Sequence, residues 1–441
     1  MTLRGRTPGM WKALSISIRR PAMRHAGFLS LCLIAIGDAR AEDWARFRGP
    51  NGSGISVSEP PVQWSGPENR NIVWKTALPG AGASSPIVWG EHVYLTAYTG
   101  YLEPGQPGGR LEDLKRHLIA VRRRDGAIAW KKSVDAELPE EERIRDHGYA
   151  ASTPAADAER VYVFYGKSGV LAYDHSGNLA WRADVGSGTN GWGSGASPVL
   201  FHDLVLINAS VESQSLVALD RATGAERWRL RNVHEAWNTP IVTEPDSGKA
   251  EVIVAVKGQI LGVDPETGTR RWSCKTDIGW YMVPSPVASD GIVYCLGGRS
   301  GIAGLAVRAG GSGDVTAERR LWTSTRGANV SSPIHHDGRL YWANEARGIA
   351  YCADAKTGDV VYEEKLERAG QIYASAFLAG GRLYYLTRDG RTFVVEAGPK
   401  FSLLATNDLR DGGVFNGSPA PDGPRLLIRS DKFLYCMGES R

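Results

Sequence analysis

Apolar residues in this chain come in short runs rich in Val, Ile, Tyr and Leu, broken by Gly, Pro, Asp and Thr. Runs of that kind bounded by turn residues read as strands. One unit recurs. A Ser/Thr-Pro-like start leads into a short strand, a turn and a second apolar strand. The starts are Ser85-Pro86, Thr153-Pro154, Ser197-Pro198, Thr239-Pro240, Ser285-Pro286, Ser332-Pro333, Ser375-Ala376 and Ser418-Pro419. Their second positions are separated by 68, 44, 42, 46, 47, 43 and 43 residues. A period of roughly 40–50 residues marks propeller blades.

Each start is followed by a third apolar strand, a polar turn and a strand ending in Trp. The clearest copies are Ala218–Trp228 and Gly262–Trp272, with Asp220, Thr223 and Gly224 in register with Asp264, Thr267 and Gly268. Weaker copies end at Trp130, Trp181 and Trp322, and Tyr362 takes the place in the sixth. Asp and Thr bond their own turn backbone, Gly supplies a positive φ, and Trp plugs the gap between neighbouring sheets. The last unit, Ser418–Cys436, has three strands and no Trp strand, whereas Asn71–Thr76 supplies one such strand with no unit before it. Trp74 therefore belongs to the blade begun at Ser418, and the ring closes by pairing the two ends of the chain. The pattern predicts an all-β, eight-bladed propeller of four-stranded antiparallel blades over residues 71–441, preceded by a lead segment at 42–70. Two insertions fill the long first spacing: Tyr101–Arg116, expected as a flexible loop, and Glu137–Gly148, expected as a short helix capping one face.

Composition changes this picture little. Gly and Pro (53 and 23 residues) suit many turns, and a net charge of +4 over 441 residues leaves no nucleic-acid footprint. The N-terminus adds an address. Arg19, Arg20 and Arg24 precede the apolar run 26–36, and Ala39-Arg40-Ala41 fits a cleavage site. Residues 1–41 thus read as a signal peptide, too short to span a bilayer, with Met23 an alternative start. A periplasmic or secreted monomer without a transmembrane segment is expected. Cys274, Cys295, Cys352 and Cys436 remain after cleavage; three fall inside apolar strands, and their spacing names no disulfide pair and no zinc site.

The signature Asp-x-x-Thr-Gly-x-x-x-Trp at 220–228 and 264–272 resembles the tryptophan-docking motif of the pyrroloquinoline-quinone (PQQ) repeat propellers, and the likeness runs from Trp44 to Cys436. Trp44-Ala45-Arg46-Phe47-Arg48-Gly49-Pro50-Asn51-Gly52 is similar to the opening of exported bacterial members, those of planctomycetes among them. The resemblance implies either a binding scaffold of the cell envelope or a calcium- and PQQ-dependent alcohol or sugar dehydrogenase. Such an enzyme needs cations for the quinone carboxylates, a Trp platform, carboxylate and amide oxygens for calcium, and a carboxylate base. Adjacent cysteines, seen in many family dehydrogenases, are absent from the sequence, and the chain is shorter than typical enzymes of the family.

One face of the predicted ring is chemically rich. The loops between second and third strands place Lys167, Glu212, Lys257, Arg299, Glu345, Arg388 and Lys432 at similar register. The inter-blade loops on that face add Asn190, Trp192, Trp237, Asn238, Trp280, Tyr281, Asn329 and Asn416. Trp192, Trp237 and Trp280 lie outside the docking position and are surplus to blade packing. These residues are expected to ring one channel mouth and to engage a protein partner or a small polar ligand. Glu212 and Asn208 are the calcium candidates if the metal is bound, although a structural hydrogen bond is the plainer reading. His147 and His234 sit in loops without metal-ligand spacing, His335-His336 reads as a turn, and Arg122–Arg124 as a solvated edge.

Overall fold

The computed structural model describes residues 43–439 apart from 246 and 247; the expected signal peptide lies outside the described residues. Eight antiparallel sheets are arranged as blades. Blade one is built from Ile87–Trp89, His92–Thr99, Lys115–Arg122 and Ile128–Asp135. Blade eight takes Ala420–Asp422, Arg425–Arg429 and Phe433–Met437 from the end of the chain and Ile72–Ala77 from its beginning. Trp74 pairs with Cys436 and Lys75 with Tyr435, so the head of the chain seals the ring as the split repeat predicts.

The burial pattern follows from blade-on-blade packing. Second and third strands are buried on both faces, as in Leu204–Ala209, and so carry unbroken apolar runs. Outer strands such as Glu226–Arg231 expose charged residues and bury one aromatic. That aromatic docks on the next blade. The indole N–H groups of Trp74, Trp130, Trp181, Trp228 and Trp322 donate to the carbonyls of Arg123, His175, Arg221, Pro265 and Ala355. Each ring lies against a glycine of positive φ in that turn: Gly126, Gly177, Gly224, Gly268 and Gly358. Trp272 departs from the pattern. The following turn lacks the Thr-Gly pair, and its indole instead covers Gly262 and donates to the buried Glu251 carboxylate at 2.7 Å.

In every blade the pairing of third and fourth strands shifts one residue before the docking position. In blade two, Ala172 faces Trp181 and Tyr173 faces Leu179, leaving Ala180 unpaired. An extra residue bends the strand and re-aims its side chains, which turns the aromatic toward the neighbouring blade. Ala405 holds this position in blade seven, and Trp64 of the lead segment is buried in the apolar cluster against which Ala405 packs.

The lead segment crosses between blades. Val88 N–H donates to Trp44 O, Ala156 N–H to Ala45 O, and Leu378 N–H to Gly54 O. Arg46 donates to Pro240 O, and Arg48, which is 2% exposed, donates to Pro333 O. The 44–54 motif therefore ties blades one, two, four, six and seven together. Its glycines are required: a Cβ on Gly49 would stand 2.3 Å from the Trp44 ring, and φ there is +64°.

Two expectations are corrected. Tyr101–Arg116 is ordered as a hairpin, Tyr101–Glu103 with Gln106–Gly109, followed by a 3-10 turn at Leu111–Asp113. Glu137–Gly148 contains no helix. Pro139 withholds a donor, and the segment spends its polar groups on surrounding loops instead: Lys167 and Tyr149 donate to the carbonyls of Pro139 and Glu141, and Arg145 N–H donates to Gly191 O. The four described cysteines are free and buried, and burial raises their thiol pKa values, Cys352 to about 11, so they pack as small apolar groups.

Candidate functional site

The Ser/Thr starts of the eight blades meet in a closed ring. Ser85 N–H donates to Thr153 Oγ1, Thr153 to Ser197, Ser197 to Thr239, Thr239 to Ser285, Ser285 to Ser332, Ser332 to Ser375, Ser375 to Ser418, and Ser418 back to Ser85, each at 2.9–3.0 Å. The repeat residue that marks each blade in the sequence is thus also its link to the next. All eight line a cavity of about 170 Å³. Phe47 of the lead segment shares that lining, as do Trp192, Trp237, Tyr281 and Tyr373. Asp146, His147, Arg299, Asn329 and Asn416 supply its other polar groups.

The aromatic side is a single assembly. Tyr281 lies 5.5 Å from Trp237, edge to face, 5.9 Å from Trp192 and 5.3 Å from Trp280. Trp237 Nε1 donates to Gly193 O at 2.7 Å, which fixes its ring, and the Arg145 guanidinium lies 5.3 Å from Trp192. The 137–148 insertion reaches the mouth at Asp146 and His147. Arg388 donates to the Asp146 carboxylate at 3.2 Å, and Asn416 to its carbonyl at 2.8 Å. Burial lowers the His147 pKa, and its Nε2 has no partner among the described residues.

The residues expected at this mouth divide. Trp192, Trp237 and Arg299 line the cavity. Trp280 stands at its edge, 39% exposed, beneath Arg299 at 5.6 Å. Arg388 braces the loop through Asp146, Gln371 and Asn416, with its guanidinium 4.2 Å from the Tyr373 ring. Lys257 points to the surface and pairs with Glu235 at 2.6 Å. Glu345 is buried and accepts the Asn329 N–H. Asn238 is buried among the backbone groups of Ala255 and Met282. Asn190 caps its own turn by accepting the Trp192 N–H. Arg299, Glu345 and Arg388 all act electrostatically on Tyr373 of the cavity lining, whereas Lys257 stands apart with Glu235, because similar register fixes the turn a residue occupies and not the partner it finds there.

Glu212 lies beside a second, smaller recess. It is 5% exposed, its carboxylate accepts the Ser194 hydroxyl, and burial raises its pKa to about 7. Asn208 turns its amide to the carbonyls of Ala236 and Asn238. Arg116, held by Glu140, Ser168 and the Tyr149 carbonyl, lines the same recess. Among the described residues no group of three or more His, Cys, Asp or Glu could hold a metal ion, and no helix is long and apolar enough to cross a membrane.

Sequence reasoning missed Asp146, Tyr281 as the hub of the aromatic wall, Tyr373 and Phe47. The insertion and the Trp44–Gly52 motif were the available signals for Asp146 and Phe47.

A family profile described as outer membrane protein assembly factor BamB matches residues 64–190, 109–229 and 166–329, together more than half of the chain. A protein of Yersinia pestis named outer membrane protein assembly factor BamB is 24% identical over 386 residues, covering 81% of this chain and 86% of that protein. The crystal structure of BamB from Moraxella catarrhalis superposes with a TM-score of 0.59 at 14% identity, covering 84% of this chain and 98% of that one. The quinohemoprotein alcohol dehydrogenase of Comamonas testosteroni gives 0.60 at 13% identity, covering 91% and 82%.

Proposed function

The chain belongs to the family of the outer membrane protein assembly factor BamB, and on that footing we propose that it is a binding propeller of the cell envelope that receives a small polar ligand, or the exposed end of a protein partner, in its channel cavity. The observation that carries this reading is the convergence of Trp192, Trp237, Tyr281 and Arg299, from loops of different blades, on one cavity lined by the hydroxyl ring and Phe47. Concave sites lined by aromatic side chains and a few convergent polar groups are where ligands bind. The reading goes with an exported chain, in keeping with the leader expected at residues 1–41 and the name of the Yersinia relative.

The alternative, a calcium- and PQQ-dependent dehydrogenase, fits the residues poorly. Calcium takes six to eight oxygen ligands. Asp146 is the carboxylate in the cavity lining, and Arg388 already holds it. Glu212 and Asn208 are spent on neighbours elsewhere.

Tryptophan fluorescence and thermal shift of the purified protein test the reading, with three titrants: the quinone plus calcium, small sugars, and short peptides. The reading expects sugars or peptides to bind at one site per chain and to lose affinity at least about tenfold in Tyr281→Ala. A bound quinone chromophore with dye-reducing activity would replace it with the enzyme reading. Binding indifferent to Tyr281 would end it.

A further inference from the structure

The cavity has an unusual polar balance. Each ring hydroxyl oxygen accepts a backbone N–H from the adjoining blade. Its own hydrogen is left over from that bond. Every Ser or Thr hydroxyl carries one donor besides its lone pairs, so the ring brings up to eight donors to the residues that line the cavity. Asn329, 1% exposed and also lining the cavity, leaves its Oδ1 unpartnered. Water serves such groups in a polar cavity, and a ligand that displaces it must replace those hydrogen bonds. A ligand that takes the place of water here therefore needs several acceptors and a donor for Asn329, the polarity of a polyol.

Two further observations narrow it. Aromatic faces stand along the same cavity and suit a ligand with an apolar C–H face as well as hydroxyl edges. The formal charges are unequal: Asp146 is neutralised by Arg388, whereas Arg299 makes no ion pair among the described residues and rests over Trp280. Arg145, over Trp192, also makes no ion pair among the described residues, and the buried Glu345 carboxylate, bonded to the Asn329 N–H, acts on Tyr373 together with Arg299; Arg299 is the guanidinium of the two that lines the cavity. A volume of about 170 Å³ is below the roughly 300–1,000 Å³ of sites for drug-sized molecules, which suits one ring.

Taking the cavity as a ligand site, we propose that it holds a single acidic sugar residue, a uronate, with hydroxyls on the Ser/Thr ring and Asn329, its C–H face on the Tyr281–Trp237 wall and its carboxylate on Arg299. A peptide ending would use the cation and the aromatics but would leave most of the hydroxyl ring unanswered.

Calorimetric titration of the full chain decides the matter, with D-glucuronate and D-galacturonate as probes against the matching neutral hexoses, acetate, and a short peptide with a free C-terminus. The expected result is that one uronate binds at least about tenfold more tightly than its hexose and than acetate. Arg299→Ala, at an exposed position, brings the uronate down to the hexose level, and Tyr281→Leu weakens both while melting shows an intact fold. Equal affinity for uronate and hexose, equal affinity for uronate and acetate, or indifference to Arg299→Ala overturns the proposal. Peptide binding without sugar binding overturns it too, yet leaves the cavity standing as a ligand site. If no probe responds to Tyr281→Leu, both readings fall together.

Discussion

Glu212 shows how one side chain senses its surroundings. Its carboxyl is buried and faces Ser194, two residues from Trp192, so its charge is costly and its pKa rises from 4.5 to about 7. Below pH 4.5 folded and unfolded chains both hold the proton. Between 4.5 and about 7 the unfolded chain releases it first, so stability falls as pH rises, by about 3 kcal/mol across the window, and stays flat above it. Glu212→Gln keeps an acceptor for Ser194 and removes the titration. Denaturant unfolding of both proteins at pH 4, 5, 6, 7 and 8 should show their difference growing over that window; a constant difference would show that Glu212 does not titrate there. Residue-scale legibility was partial for the same physical reason. The sequence pattern puts Lys257 and Arg299 at equivalent turns, but Glu235 captures the first, whereas the second makes no ion pair among the described residues and rests over Trp280. Partners contributed by another blade or by the 137–148 insertion have no local signature.

At the scale of the blade, the docking unit is the Trp of one outer strand, the positive-φ glycine of the next blade's turn, and the displaced pairing just before the Trp. The first two are legible because Asp220, Thr223, Gly224 and Trp228 sit at fixed offsets that Asp264, Thr267, Gly268 and Trp272 repeat. The displaced pairing is not, since an unpaired residue such as Ala180 looks like any other strand residue until the register is known. The unit makes separable predictions. Gly338 has φ +68° and open space where a Cβ would go, so Gly338→Ala should cost only the backbone strain, roughly 1–3 kcal/mol. Gly224 has a similar φ of +77°, but a Cβ would stand 2.6 Å from the Trp181 ring. Gly224→Ala should add roughly 1–3 kcal/mol of overpacking to that strain. Urea unfolding of the two variants measures the difference, and equal losses would mean that Trp181 can yield without cost.

The whole molecule depends on closure. Blade eight is a composite, its fourth strand Ile72–Ala77 coming from the head of the chain. Gly438 N–H donates to Asn71 O at 3.0 Å, so the end of the third strand already touches the start of the fourth. This was the most legible feature of the fold, because an orphan Trp strand at one end and a truncated repeat at the other have one economical solution. Closure also completes the hydroxyl ring, through the bond from Ser418 to Ser85, and so shapes the cavity. Removing residues 42–77 should expose the edge of Phe433–Met437 together with Leu434 and Cys436, now buried, and leave an open sheet edge prone to pairing with other chains. The lost lead segment weakens the same protein, so the deletion alone is ambiguous. Fusing residues 71–77 after Gly438 through a two-residue Gly-containing turn restores the strand in its register without the lead segment. Recovery of a soluble monomer with cooperative melting in the fusion, against aggregation of the deletion, is the expected outcome by size-exclusion chromatography and circular dichroism. If the fusion aggregates as the deletion does, the lead segment and not the borrowed strand holds the ring shut.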